Sequence, residues 1–554
     1  PPLVHAVLVG RLLQLSASAR EFVELAATIG REFTLDLLST AGNADAGSAV
    51  HALDELWHKR IVREHGANSY DFTHDKLREV AYAEISAPQR RMLHHRVAQA
   101  LEALHAEDLD AVSGQVASHY ERAGMIKQAL PCYQRAAAVA QRVYANEDAI
   151  GLLSRSLELL EFPPAGSKRD KQELSLQLAL APIYLMTKGW TAPELERVLD
   201  RALALCDTVG DDAQRAQTRF GLQSVYVVQA RLERVQMISD ELQTLYQRSL
   251  GTAAPPFAGM MLAGARLHLG RITEANEEFA QIITAHDPDQ LLHLQESQGV
   301  NYAAHARAWQ AHVLWCLGYP QQALSRGLEA VRLVQDLDQP FNQSLVSAYL
   351  ALLQQLRADE AVAREHAEEA LALASKYQAP YYRAWASILV SYALALEQPN
   401  EERIGRLRAS ISEFKASRAR LRLPYYLSLL AQTYGKAGRV EEGLACIDEA
   451  LAEARAHNER WWDGELHRLR GELLLMHGAD ASDVEAAMLR AIEIARSQQA
   501  RSLELRATVS LARLWIAENR SDDARRQLSD LYAWFTEGFE TPDLQAARLL
   551  LAHL

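Results

Sequence analysis

The stretch from Leu423 to Ala450, LPYYLSLLAQTYGKAGRVEEGLACIDEA, decides the fold. Two apolar-periodic segments are joined by a short turn at Ala437-Gly438, and small residues stand at Ala431, Gly443 and Ala450 where two helices would cross. Moving outward, the first of these positions returns about every forty residues as Ala311, Ala351, Ser391, Ala431, Gly471 and Ala512. A second series is Ala323, Ala363, Gly443 and Ala524, and a third is Ala330, Ala370, Ser410, Ala450 and Ala491. Small side chains at fixed points let helix backbones approach closely, while larger neighbours fill the grooves. One helix pair cannot bury its apolar face alone, so the pairs must stack as a solenoid.

The alternation of small and aromatic positions at Leu427, Leu430, Ala431, Tyr434, Gly443, Ile447 and Ala450 resembles the tetratricopeptide repeat. Ala117, Tyr120, Ala129, Tyr133 and Ala136 carry the same resemblance. That family's period is about 34 residues, so these repeats carry roughly six more, assigned to longer helices and turns. The expected fold class is all-α: a superhelix of helical hairpins preceded by a small winged-helix domain with one β-hairpin. The expected domains are 1–105 (winged helix and connecting helices), 106–165 (first repeats), 166–300 (degenerate repeats), 301–541 (regular repeats) and 542–554 (a capping helix).

Composition agrees with a helical scaffold. Ala, Leu, Glu, Arg and Gln dominate, and strand-like runs are nearly absent. A formal net charge of −13 argues against a general nucleic-acid or anionic-membrane binder. No run of eighteen apolar residues and no signal peptide can be read. Cys132, Cys206, Cys316 and Cys446 stand singly in helical segments, which suits free thiols in a reducing cytoplasm.

The first hundred residues read differently. Helical patterns cover Pro2 to Leu15, Ala17 to Ile29, Thr34 to Thr40 and Ala46 to Lys59, followed by a hairpin of Ile61–Glu64 and Ser69–Phe72. The helix before the hairpin, Asp54 to Arg60, mixes charges around Trp57, a poor reading head for a DNA major groove. Next stands Phe72-Thr73-His74-Asp75. The segment from Leu15 to Leu101 is similar to the winged-helix module that follows the nucleotide-binding domain of STAND-class signalling ATPases. That resemblance implies that His74, with Asp75, senses the phosphates of bound ADP, although the Met often preceding the pair is absent here. The alternative is that Thr73 caps a helix and His74 is an ordinary surface residue.

The C-terminal half resembles the tail of large bacterial regulators in which a class III nucleotide cyclase or a DNA-binding domain precedes such an ATPase. The strings that carry this are Tyr425 to Ala431, Glu459-Arg460-Trp461-Trp462, Arg468 to Leu475 and Trp534 to Phe539. The resemblance implies ATP or ADP bound by a domain upstream of Pro1, and the opening Pro1-Pro2 fits a cut between domains. No phosphate loop occurs in these residues; Tyr434-Gly435-Lys436-Ala437-Gly438 is the nearest imitation.

Catalytic and metal motifs fail on spacing. His94 and His95 are adjacent, His286 and His293 are seven apart, and there is no His-Glu-x-x-His, Cys-x-x-Cys or Gly-x-Ser-x-Gly. The expectation is a region with no enzyme activity, no cofactor and no metal. Acids such as Asp336 and Asp338 sit at inter-helix turns, where capping explains them.

In tetratricopeptide arrays the first helix of each pair lines the concave face. Carrying those positions over selects His305, His312, Trp315, Gln355, Trp385, Tyr392, Tyr425 and Gln432 as a groove for a partner or small inducer. In the next repeat the register falls on Glu465, with His467 two places on. The alternative is that Trp315, Trp385 and Tyr392 pack between helices. A cationic segment, Arg403, Arg406, Arg408, Arg418, Arg420 and Arg422, is either a docking surface for an acidic partner or a hydrated face. The leading expectation is a cytoplasmic regulatory region that binds a protein, peptide or inducer and relays that event through the winged helix to the ATPase. A passive scaffold is the alternative.

Overall fold

The computed structural model describes residues 2–66, 68–161, 165–250, 259–284, 300–337 and 340–554. The chain divides into two compact units, Pro1–Ala179 and Leu180–Leu554. The sequence placed a boundary near residue 165; the structure places it within the helix that follows.

The first unit opens with α1 (Pro2–Leu13), α2 (Ala17–Ile29), β1 (Glu32–Thr34), α3 (Leu35–Gly42), α4 (Ala46–His58), β2 (Val62–Glu64), β3 (Ser69–Phe72), α5 (Asp75–Glu84) and α6 (Ala87–Leu104). Side chains fix the helix starts: Ser16 accepts from the Ala19 amide, Thr34 from Leu37 and Asp45 from Ser48. The expected hairpin is present, and a third strand, β1, joins it in an antiparallel sheet of order β1-β3-β2. At three residues, β1 is too short for alternation to announce it. Phe33 and Phe72 bury one face of the sheet, and Arg63 forks onto the buried Asp71 at 2.8 and 2.9 Å across the β2–β3 pair. Then come α7 (Ser113–Arg122), α8 (Ile126–Arg142), α9 (Asn146–Leu159) and α10 (Ser167–Lys188), within which the division falls.

The second unit continues with α11 (Pro193–Cys206), α12 (Asp212–Val228), α13 (Leu232–Leu250), α14 (Met260–His268) and α15 (Ile272–Thr284). The regular repeats pair α16 (Tyr302–Leu317) with α17 (Pro320–Arg332), α18 (Pro340–Leu356) with α19 (Glu360–Lys376), and α20 (Pro380–Glu397) with α21 (Glu401–Ala416). They go on through α22 (Leu423–Lys436) and α23 (Val440–His457), α24 (Asp463–His477) and α25 (Ala481–Ser497), and α26 (Arg501–Ala517) and α27 (Ser521–Tyr532), to α28 (Pro542–His553). The irregular stretch expected after Ala285, with Asp287, Pro288 and Asp289, lies outside the described residues. So do Pro163, Pro164, Pro255, Pro256, His286, His293 and Asp338.

The small residues do what their spacing predicts. In α19 the buried positions are Ala363, Ala367, Ala370 and Ala374, a narrow stripe that lets this outer helix lie close on its neighbours. Gly471 has no room for a side chain, because a Cβ there would stand 2.7 Å from the Met488 methyl. First helices such as α18 are buried nearly all round, and second helices on one stripe only.

First helices are surrounded because the repeats coil tightly enough to meet themselves. Arg420 and Leu421, just before α22, donate their amides to Val228 O at the end of α12 (3.0 and 3.1 Å). Arg460 and Trp461, before α24, donate to His268 O at the end of α14 (2.6 and 3.2 Å). Ser502 donates to Trp315 O near the end of α16 (2.5 Å), and Arg506 to Leu356 O at the end of α18 (2.7 Å). Trp190 donates to the Tyr382 hydroxyl at 3.2 Å. Sequence separations of 192, 191 and 187 residues recur across these seams. The last carbonyls of a helix lack intrahelical partners; here the following superhelical turn supplies one to Val228, His268 and Leu356, and a second donor to Trp315 O, which also accepts the Gly318 amide.

Among the described residues no helix is long and apolar enough to cross a membrane.

Candidate functional site

The inner wall chosen from the sequence is largely filled. His305, His312, Trp315, Trp385, Tyr392 and Tyr425 are all buried, with Trp385 at 0 % exposure. Tyr349 stands among three of their rings and that of Trp309: His305 at 5.4 Å, Trp309 at 6.0 Å, His312 at 5.1 Å and Trp385 at 4.8 Å between centroids. His312 donates from Nε2 to Tyr349 O at 2.9 Å. Arg422, read as part of a basic surface, belongs to this core and is 1 % exposed. Its guanidinium lies over the rings of Trp385 (4.6 Å) and Tyr349 (5.1 Å). Its amide donates to Glu459, which also accepts from His268 Nδ1 and Trp461 Nε1. Burial pushes the Glu459 carboxyl up to about 7. Burial, and next the Arg422 charge, hold His305 at about 3 and keep His268 and His312 well below the ordinary histidine range.

The rest of the cationic segment is engaged by neighbours. Arg403 donates to Leu394 O at 2.6 Å, and Arg420 to Lys415 O and Ala419 O at 2.9 Å. Arg406 lies 3.5 Å from Glu402, Arg408 3.7 Å from Glu401 and Arg418 2.8 Å from Glu196. Glu401 opens the same helix as Arg408, whereas the glutamate that pairs with Arg418 lies far away in the chain, which a local charge count cannot show. The segment therefore forms no shared basic face.

Space remains further along the inner wall, in a cavity of about 280 Å³. Each first helix from α18 onward sends a polar group to it: Gln355 from α18, Tyr392 from α20, Gln432 from α22, Glu465, Arg468 and Glu472 from α24, and Arg506, Ser510 and Arg513 from α26. The terminal helix α28 adds Asp543, and Trp462 and Leu389 contribute apolar surface. Tyr392 donates its hydroxyl to Gln432 at 3.2 Å, and Tyr425 donates to Gln355. Of the expected groove residues, Gln355, Tyr392 and Gln432 line this cavity, Tyr425 supports it, and Trp315 lies beneath it, 4.9 Å from the Arg506 guanidinium.

Its charges are tightly organised. Arg468 forks onto the buried Glu465 with Nε–Oε2 at 2.9 Å and Nη2–Oε1 at 2.7 Å, and it also pairs with Glu472. Ser510 donates to Glu472 at 2.8 Å, and Arg506 donates to Asp543 at 2.8 Å. Burial alone would raise the Glu465 pKa, but the guanidiniums of Arg468 and Arg506 hold it below the ordinary carboxylate range. Removing one partner from such a pair strands a buried charge, at a cost of about 3–5 kcal/mol.

His467 does not reach this cavity. Two residues beyond Glu465 it points round the helix, where burial and then Arg490, Arg470 and Arg455 lower its pKa. Its place in the groove set is corrected to Glu465, where the repeat register had fallen. The sequence reading missed Arg468, Glu472, Arg506, Ser510 and Asp543. The available signal was charge at spacings of three and four on a helix face that is otherwise apolar, Glu465-x-x-Arg468-x-x-x-Glu472.

In the first unit His74 is exposed and is the N-cap residue of α5, without a side-chain capping bond. Asp75 lies 3.6 Å from Arg31. Thr73 does not cap the helix; its hydroxyl donates to Arg60 O at 2.8 Å, which corrects the capping role expected for it. Among the described residues no cluster of His, Cys, Asp and Glu could hold a metal ion, and the four cysteines are free thiols.

No protein-family profile matches the chain. It is similar to an uncharacterized protein of Rhizobium meliloti strain 1021, 25% identical over 540 residues, which cover 93% of this chain and 50% of that protein. The chain thus spans about half the length of that curated relative. Among solved structures it is similar to a Rap protein complexed with competence and sporulation factor, with TM-score 0.47 and 13% identity over 69% of this chain and 99% of that one. A second is a STAND protein with a tetratricopeptide repeat sensor from Pyrococcus horikoshii, with TM-score 0.30 and 12% identity over 97% of this chain and 66% of that one. A third is the apo quorum sensor NprR from B. thuringiensis, with TM-score 0.37 and 13% identity over 66% and 98%.

Proposed function

We propose that this chain is the sensor region of a multidomain signalling ATPase. A ligand or partner segment enters the cavity between α18 and α28. A winged-helix-type module, made by α2 to α5 with the β1-β3-β2 sheet, relays that event to an ATPase domain and an output domain, a nucleotide cyclase or a DNA-binding domain. Within the module His74, exposed at the start of α5, is the group that senses nucleotide.

The observation that carries this reading is the cavity itself. Its polar lining comes from consecutive first helices and from α28, so an occupant touches successive repeats at once. A ligand shifts a conformational equilibrium only through contacts that differ between the two states. A site divided among many helices meets that requirement, because any change in superhelical pitch alters its shape.

The test uses the intact protein. Ala393→Trp and, independently, Ala546→Trp fill the cavity from α20 and α28. Both are expected to abolish the rise in ATP hydrolysis produced by a small-molecule and peptide extract of the host, with the melting temperature retained. An undiminished rise in either folded variant, or an intact protein that never hydrolyses ATP, overturns the proposal. A cavity that takes up ligand while ATP hydrolysis stays constant points to the passive scaffold. His74→Ala is expected to change ATP turnover without changing the melting temperature.

A further inference from the structure

The cavity's charges are unequal in one respect. Four carboxylates (Glu360, Glu465, Glu472 and Asp543) and three guanidiniums (Arg468, Arg506 and Arg513) line it. Five of these seven are engaged with one another: Glu465, Arg468 and Glu472 within α24, and Arg506 with Asp543. The remaining two, Glu360 and Arg513, are exposed, and neither has an ion-pair partner among the described residues. They sit on different walls, Glu360 at the first residue of α19 and Arg513 on α26. Glu360 is near enough to Tyr392 for its charge to help raise the phenol's pKa, after burial. The same lining holds neutral donors and acceptors: Gln355, Gln432, Tyr392 and Ser510.

Deepening the sensor reading and resting on it, we infer that the cavity selects a short peptide with both ends unblocked, its carboxylate on Arg513 and its ammonium on Glu360. An unpaired cation and an unpaired anion on different walls of one cavity, with amide groups in the same lining, match the two termini and the peptide units of such a molecule. A volume of about 280 Å³ limits it to a few residues. A phosphorylated or polyanionic ligand fits poorly, since it would meet four carboxylates with only one guanidinium unengaged.

Calorimetry and thermal shift on the intact protein, with pools of tripeptides, test this. The pools are unblocked, N-acetylated, C-amidated and doubly blocked, with inorganic phosphate as a fifth probe. The unblocked pool is expected to bind, each single block to weaken binding about ten-fold through loss of one charge-assisted contact, and phosphate to give no shift. Arg513→Gln should remove the penalty of amidation but not that of acetylation, and Glu360→Gln the reverse. Both residues are exposed, so both variants should fold. Equal binding of doubly blocked and unblocked pools, no binding by any pool, or variants that leave the discrimination intact would overturn the inference. Ala393→Trp separates the two failures. Blocked peptides that bind and are excluded by this variant sink the zwitterion and leave the sensor cavity, whereas peptides that bind regardless of it sink both.

Discussion

Acid should unfold the second unit over a narrow range, and the sign follows from its buried core. His268, His305 and His312 are folded as neutral imidazoles whose pKa values burial and Arg422 depress from the ordinary 6.5. A depressed imidazole gives stability that is complete above pH 6.5 and is lost as pH falls toward its folded value, because only the unfolded chain takes up the proton. Glu459 acts oppositely. Its pKa rises from 4.5 to about 7, so its contribution is complete below pH 4.5 and is lost as pH rises through 7. Counting these four fully buried groups alone, between pH 6.5 and 4.5 unfolding therefore takes up three protons and releases one, and the lowered pKa of His467 adds in the direction of uptake. At about 1.4 kcal/mol per proton per pH unit, the net loss is about 3 kcal/mol per pH unit. That is roughly 5 kcal/mol over the interval, the order of a whole domain's stability. Urea titrations followed by tryptophan fluorescence report this, since every tryptophan except Trp57 belongs to the second unit. Glu459→Gln should steepen the pH slope by about one proton, and His305→Gln should flatten it by the same amount. A slope that is flat or reversed between pH 6.5 and 4.5, or that Glu459→Gln makes shallower, would refute the argument.

Four other outcomes follow from packing. Trp385→Ala, at a site with no exposed surface between Tyr349 and Arg422, should cost about 3–5 kcal/mol and lower the melting temperature accordingly. Gly264→Ala should destabilise by about 1–3 kcal/mol, because its Cβ would fall 2.3 Å from the Trp309 ring. Gly405→Ala, with nothing within 4 Å and a mid-helix setting, should stabilise by about 0.5–1 kcal/mol; chemical denaturation distinguishes the two glycines. Ser502→Ala removes the bond to Trp315 O across one seam, while that carbonyl keeps the Gly318 amide at 3.0 Å, and should cost about 0.5–1.5 kcal/mol, read from the denaturation midpoint.

The repeating helices were legible because close helix crossings need small residues at fixed intervals, and Ala351, Ala363 and Ala370 announce theirs without reference to the rest of the chain. The β2–β3 hairpin was legible for a similar local reason. What stayed hidden is non-local. Whether Trp385 faces a ligand or a core depends on whether the coil closes, and nothing near Trp385 records that Val228 and Leu421 will share a hydrogen bond. Arg422 reads as surface in a run of arginines and is buried because Tyr349 and Trp385 form a box around it. Glu465 and Arg468 carry a signal that a search for aromatic and imidazole groups passes over. Strand β1 was missed because three residues hold too little pattern; it is defined by its partner β3.

Seams between residues some 190 apart also restrict how such a protein can change its length. In an open solenoid a hairpin can be gained or lost and the array merely grows or shrinks. Here, deleting one pair between α17 and α22 would slide every later amide past the carbonyl that receives it, from Val228 to Leu356 together. Evolution, or an engineer, can therefore add or trim hairpins at the ends or exchange a full revolution, but cannot remove one storey from the middle.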